Sequence, residues 1–143
     1  MIKTDGIDHV VFFVKDYKKS RKFYEDVLGM TLAFEQPVGV FMNAGPGHLL
    51  ALFQKDLIHS WDKGRPRFHD ARDVIGGSEF NRVSLTTNSG TRESVKAELE
   101  GKGVKVHSRP DDPEGLYFED LDGHPIRIYV GELDYPPHPG TFA

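Results

Sequence analysis

Gly47-His48-Leu49-Leu50-Ala51-Leu52 and Gly123-His124-Pro125-Ile126-Arg127-Ile128 are two versions of one segment, set apart by an offset of 76 (47 to 123). Each opens on a Gly-His turn and runs into an apolar strand-like stretch. Upstream of the first copy, Ile7–Val14 reads as a mostly buried strand, β-branched and aromatic, interrupted only by Asp8 and His9. Asp16 then caps a helix over Tyr17–Leu28, in which Phe23/Val27 and Tyr24/Leu28 stand i, i+4 apart and Gly29 is the stop. Strands follow over Thr31–Gln36, Val38–Met42 and His48–Gln54. The turn Asn43-Ala44-Gly45-Pro46-Gly47 divides the last two.

Upstream of the second copy the order recurs. Phe80–Thr87 is a strand, Ser89-Gly90-Thr91 supplies caps for a helix over Arg92–Glu100, and Gly101 and Gly103 end it. Strands over Val104–Ser108, Gly115–Glu119 and His124–Val130 complete it, with the turn Asp120-Leu121-Asp122-Gly123 before the last. Val10 matches Val83, and Gly29 matches Gly103. The chain is therefore expected to be α+β: βαβββ written twice, module one over about 6–54 and module two over about 79–131. A linker over about 55–78 joins them and an extended tail covers 132–143. The linker is polar and mixed (His59, Trp61, Arg65, Pro66, Arg67, His69, Gly76, Gly77), and Arg65-Pro66-Arg67 reads either as an anion contact or as a solvated loop.

Composition narrows the chemistry. The 143 residues include no cysteine, so a disulfide scaffold, a thiolate zinc site, an iron–sulfur cluster and a cysteine nucleophile are all excluded. With 38% hydrophobic and 28% charged residues the chain reads as an ordinary single globular domain, and no apolar run approaches the roughly 20 residues that span a bilayer. Met1-Ile2-Lys3-Thr4-Asp5 has no signal-peptide core, so the expected setting is cytoplasmic. A net charge of −4 argues against general nucleic-acid binding, which relies on neutralising phosphates.

Ile7-Asp8-His9-Val10, Ser20-Arg21-Lys22-Phe23-Tyr24, Val27-Leu28-Gly29-Met30 and Asp120-Leu121-Asp122-Gly123-His124-Pro125-Ile126 resemble the vicinal oxygen chelate superfamily over about Gly6 to Gly131. That superfamily contains glyoxalase I, extradiol dioxygenases, fosfomycin-resistance enzymes and bleomycin-binding proteins. The resemblance implies two βαβββ modules forming a curved mixed sheet around a central cleft, and commonly a homodimer. In metal-dependent members it implies a divalent ion held by His or Glu from the first and fourth strands of each module, which chelates two adjacent substrate oxygens.

Those four positions fall on His9, Ala51, Arg82 and Arg127. A methyl group cannot bind a metal, and a guanidinium is a permanent cation without a free lone pair. The expectation is a degenerate metal site. It would bind a small anionic or aromatic organic molecule through His9, Arg82 and Arg127, lined by Phe12 or Phe13, Phe53 and Tyr129. Two alternatives stand beside it: a lyase or extradiol-type dioxygenase using iron, manganese, nickel or zinc on His9 with His48, Gln54 or Glu119, and a structural dimer without ligand. His9 is the candidate general acid or base in a catalytic reading. In the alternative, purely structural reading of the arginines, carboxylates such as Glu35, Glu79, Glu119 or Asp120 neutralise them. His48 and His124 read as a repeated structural feature, and Asp111-Asp112-Pro113-Glu114 as a solvated acidic turn. A nucleophile elbow, P-loop, HExxH motif and GxGxxG fingerprint are all lacking.

Overall fold

The computed structural model describes residues 1–61, with backbone alone at 59–61, and 82–131. The chain divides into two compact units, Met1–Gly76 with Asp120–His124, and Gly77–Glu119 with Pro125–Ala143. In the first, the elements are β1 (His9–Val14), α1 (Tyr17–Leu28), β2 (Thr31–Gln36), β3 (Gly39–Gly45), β4 (His48–Gln54) and α2 (Lys55–Trp61). The sheet order is β1-β4-β3-β2, with β1 parallel to β4 and the remaining pairs antiparallel. A parallel pair needs a crossover, and α1 is part of it. Asp16 starts that helix by accepting from the backbone N–H groups of Lys18 and Lys19, and Gly29 ends it at φ 66°.

Alternation along the strands sorts the side chains into two faces. Val40, Met42, Leu50 and Leu52 are buried on one, and α1 packs on β3 and β4 with Tyr24 and Ser20 buried. The other face carries His9, Phe41, Ala51 and Phe53, brought level by the pairs Val11↔Ala51, Phe41↔Ala51 and Phe13↔Phe53.

In the second unit β5 (Val83–Thr87), α3 (Arg92–Gly101), β6 (His107–Arg109), β7 (Asp112–Glu119) and β8 (Pro125–Val130) form a sheet of order β5-β8-β7-β6. β5 is parallel to β8, and the other pairs are antiparallel. Thr91 caps α3 in a capping box with Ser94, and Val95 and Leu99 are buried together with Leu116, Phe118, Ile126 and Ile128. Both units are thus βαβββ, and the expected repeat holds to the residue. Val11↔Ala51 in the first sheet answers Ser84↔Arg127 in the second, and Phe41↔Ala51 answers Tyr117↔Arg127.

Four expectations need correction. The expected linker opens with a helix, α2, whose Leu57 and Ile58 are half-buried. β3 extends from Gly39 to Gly45 because its ladder with β4 runs from Gly39↔Phe53 to Gly45↔His48. β6 lies later than expected, at His107–Arg109. Asp112 is the first residue of β7, paired with Arg109, rather than part of a solvated turn. Arg65, Pro66, Arg67, His69, Gly76, Gly77, Glu79 and the tail 132–143 lie outside the described residues.

Candidate functional site

In the first unit the candidate residues His9 and Phe53 meet around one ring. His9 stands edge-on to Phe41 with centroids 5.0 Å apart, Phe53 does the same at 5.5 Å, and Phe34 stacks on Phe41 at 4.4 Å. Phe41 is buried while Phe34 and Phe13 are exposed, so the face is an open aromatic surface. His9 Nδ1 lies 2.6 Å from Asp8 Oδ2, a pairing that orients the imidazole. Gln54, a displaced metal ligand in the alternative reading, has its amide oxygen occupied by the backbone N–H of Tyr17.

In the second unit Arg82, Arg127 and Tyr129 gather around an aromatic–carboxylate cluster. The Arg127 guanidinium donates from Nε to Asp112 Oδ2 at 2.6 Å and from Nη2 to Asp112 Oδ1 at 3.1 Å, and its Nη1 donates to Ser84 Oγ at 2.9 Å. Tyr117 Oη donates to the same carboxylate. Cζ of Arg127 lies 5.5 Å from the centre of the Tyr129 ring, and Cζ of Arg82 lies 5.4 Å from that of Tyr117. Arg127 is therefore neutralised internally, but by Asp112 rather than by any carboxylate expected from the sequence. Its guanidinium hydrogen bond holds the Asp112 carboxyl at about 2, against an ordinary 3.8, outweighing a smaller upward push from burial. Gly115 makes the arrangement possible: a Cβ there would come within 3.0 Å of Asp112 Oδ2, Tyr117 Cε2 and Arg127 Nε.

The two units are variations on one plan. His9 against Phe41 corresponds to Arg82 against Tyr117, and Ala51 corresponds to Arg127. Residue by residue, one imidazole and one methyl stand at the expected metal positions of the first unit, and two guanidinium groups at those of the second. That donor set does not fit a divalent ion.

A different group, Asp120, Asp122 and His124, brings its ligand atoms within 4.8 Å of one another. Asp120 and Asp122 belong to the turn expected from the sequence, and His124 to the repeated structural position that follows it, and the hydrogen bonds agree. Asp120 Oδ1 accepts from the backbone N–H groups of Asp122 and His124, both at 2.9 Å, and Oδ2 lies 2.7 Å from both Tyr24 Oη and His124 Nδ1. Asp122 accepts from Lys15 N and Ser20 Oγ, and Phe12 stacks on His124 at 4.3 Å. A metal ion would have to displace these donors. Burial pushes the Asp120 carboxyl up, but the hydrogen bonds and charge of His124 and the Tyr24 hydroxyl bring it net below its ordinary value, while burial and Asp120 push the Tyr24 phenol far up. The residues missed from sequence are Phe34, Phe41, Ser84, Asp112 and Tyr117. Of these, Phe41 and Tyr117 were open to discovery, as direct counterparts under the offset of 76 beside Ala51 and Arg127.

Comparison with known proteins agrees with this architecture. A sequence model of the Glyoxalase/Bleomycin resistance protein/Dioxygenase superfamily matches residues 6–128. A metallothiol transferase FosB of Staphylococcus epidermidis is 30% identical over 134 residues, covering 94% of this chain and 88% of that protein. Among solved structures, a glyoxalase/bleomycin resistance protein/dioxygenase from Nocardioides superposes with a TM-score of 0.65 at 24% identity, covering 96% of this chain and 90% of its own. TnmS3, an antibiotic binding protein from Streptomyces sp. CB03234, does so at 0.62 and 22% identity, covering 92% of this chain and 100% of its own. Among the described residues no helix is long and apolar enough to cross a membrane.

Proposed function

Because the chain belongs to the glyoxalase, bleomycin resistance protein and dioxygenase superfamily, we propose that it binds a small aromatic organic molecule without a metal ion at the superfamily's metal positions. The observation that carries this reading is the donor set, one imidazole at His9 in place of the His and Glu ligands, with Ala51, Arg82 and Arg127 at the other positions. In the first unit exposed Phe34, stacked on Phe41, offers a ring face for a ligand with half-buried Phe53 close by, and the second unit, taken by itself, carries Arg82 over Tyr117 and Arg127 over Tyr129. A structural relative named as an antibiotic binding protein supports small-molecule binding as a use of this fold. Where the ligand is also transformed, His9 is the group that moves a proton, with Asp8 fixing its tautomer.

Titration of 2-naphthol, a flat neutral probe, into protein kept in excess chelator tests the reading by calorimetry. Binding is expected there, weakened about tenfold or more by Phe53→Ala and by His9→Ala. Binding that appears only after a divalent metal is restored, or none at all, overturns the proposal. The metal-dependent reading keeps support of its own in the 30% identity to a protein named as a metallothiol transferase and in the Asp120, Asp122 and His124 group. Exposed Phe13, Phe34 and Val10 support the homodimer, which light scattering on the purified chain checks, and the proposed setting remains the cytoplasm.

A further inference from the structure

The guanidinium of Arg127 is shaped to take a carboxylate side-on, and the protein already places one there. Asp112 fills the fork with both oxygens, and Tyr117 and Gly115 shape the space around it. Ser84 holds the remaining nitrogen, so the orientation of Arg127 is set by two hydrogen-bond partners, Asp112 on β7 and Ser84 on β5. The pair is not sealed: about a quarter of the Asp112 side chain is open, against 12% for Arg127. An acidic ligand can reach this fork only by displacing a carboxylate tethered beside it, which competes at an effective concentration on the order of millimolar or above.

We propose that Asp112 is a specificity-determining residue, an internal carboxylate seated in the Arg127 fork that makes this face of the second sheet, with the rings of Tyr117 and Tyr129, favour neutral aromatic ligands over aromatic acids. This rests on the small-molecule reading above. It reassigns Arg127 from an anion receptor to a residue whose charge is already answered. Its neighbour Asp111 supplies the contrast, since that carboxylate pairs with Arg109 at the exposed hairpin turn and does not touch Arg127.

Benzoate and 2-naphthol serve as acid and neutral probes against the full chain and its Asp112→Asn, Asp112→Ala and Asp111→Asn variants, with affinities read by calorimetry or ligand-observed NMR. Asp112→Asn removes the competing charge with little change of shape, and Asp112→Ala empties the seat altogether, which covers the case in which one variant does not fold. The expected result is a rise in benzoate affinity of about tenfold or more in both, no rise in Asp111→Asn, and 2-naphthol affinity within about twofold throughout. The proposal is overturned if benzoate binds Asp112→Asn no more tightly than the unaltered chain, or if Asp111→Asn gives the same gain. Failure of 2-naphthol to bind any form would overturn the neutral-ligand reading and the preference for neutral ligands with it, while a benzoate gain that persists would still mark Asp112 as the carboxylate that keeps acids from Arg127.

Discussion

Replacing Tyr24 with Phe removes one oxygen and tests whether the Asp120–Asp122–His124 group is a structural turn. Tyr24 is 1% exposed and the Asp120 side chain is likewise 1% exposed. The hydroxyl donates to Asp120 Oδ2 at 2.7 Å, so the variant leaves a buried carboxylate short of one of its four donors. A hydrogen bond to a charged group contributes roughly 1.5–3 kcal/mol, and the ring is retained, so no cavity term is added. The expected loss is about 2 kcal/mol at neutral pH, roughly 6 °C in Tm for a chain of this length. The acid limb should move as well. The Asp120 carboxyl is held below 3.8 in the folded state, so its stabilisation is complete above that value and lost as pH falls through the folded one. Without the Tyr24 hydroxyl the folded value rises, and the variant should begin to lose stability at a higher pH. Urea unfolding at neutral pH and thermal melts followed from pH 7 to pH 3 give both quantities. A loss below about 0.5 kcal/mol with superimposable acid limbs would refute the reasoning and reopen these residues as a ligand site.

Asp112 should show a separate acid signature. Its depression from 3.8 to about 2 corresponds to at most about 2.4 kcal/mol, which the open quarter of its side chain reduces to roughly 1–2 kcal/mol. That contribution is complete above about pH 4 and fades as pH falls through 2, so the stability gap between the unaltered chain and Asp112→Asn should close over that window in acid titrations monitored by circular dichroism. Asp16→Ala removes the acceptor of the Lys18 and Lys19 N–H groups and should cost about 1 kcal/mol, measured by urea unfolding.

Where the sequence carried local punctuation, it was sufficient. Asp16 and Gly29 bound α1 as expected, and the repeat offset placed Ala51 and Arg127 at equivalent sheet positions. Less was legible where partners decide. β3 ends where its ladder with β4 ends, and the seven residues of α2 are too few to display a helical period. Asp112 looked like a turn residue because Asp111 and Pro113 flank it. Only the pairing of β7 with β8 reveals that it reaches Arg127, fifteen residues on, through space left by Gly115. The charge of Arg127 was visible in the sequence, whereas the identity of its counter-ion is a product of the register.

The most direct test of metal-independent binding is elemental analysis of protein purified without chelator, followed by calorimetric titration with zinc, nickel, manganese and iron(II). The donor set at His9, Ala51, Arg82 and Arg127 predicts no stoichiometric metal and no metal binding that depends on His9. One equivalent of metal per chain, lost on His9→Ala, would contradict the account.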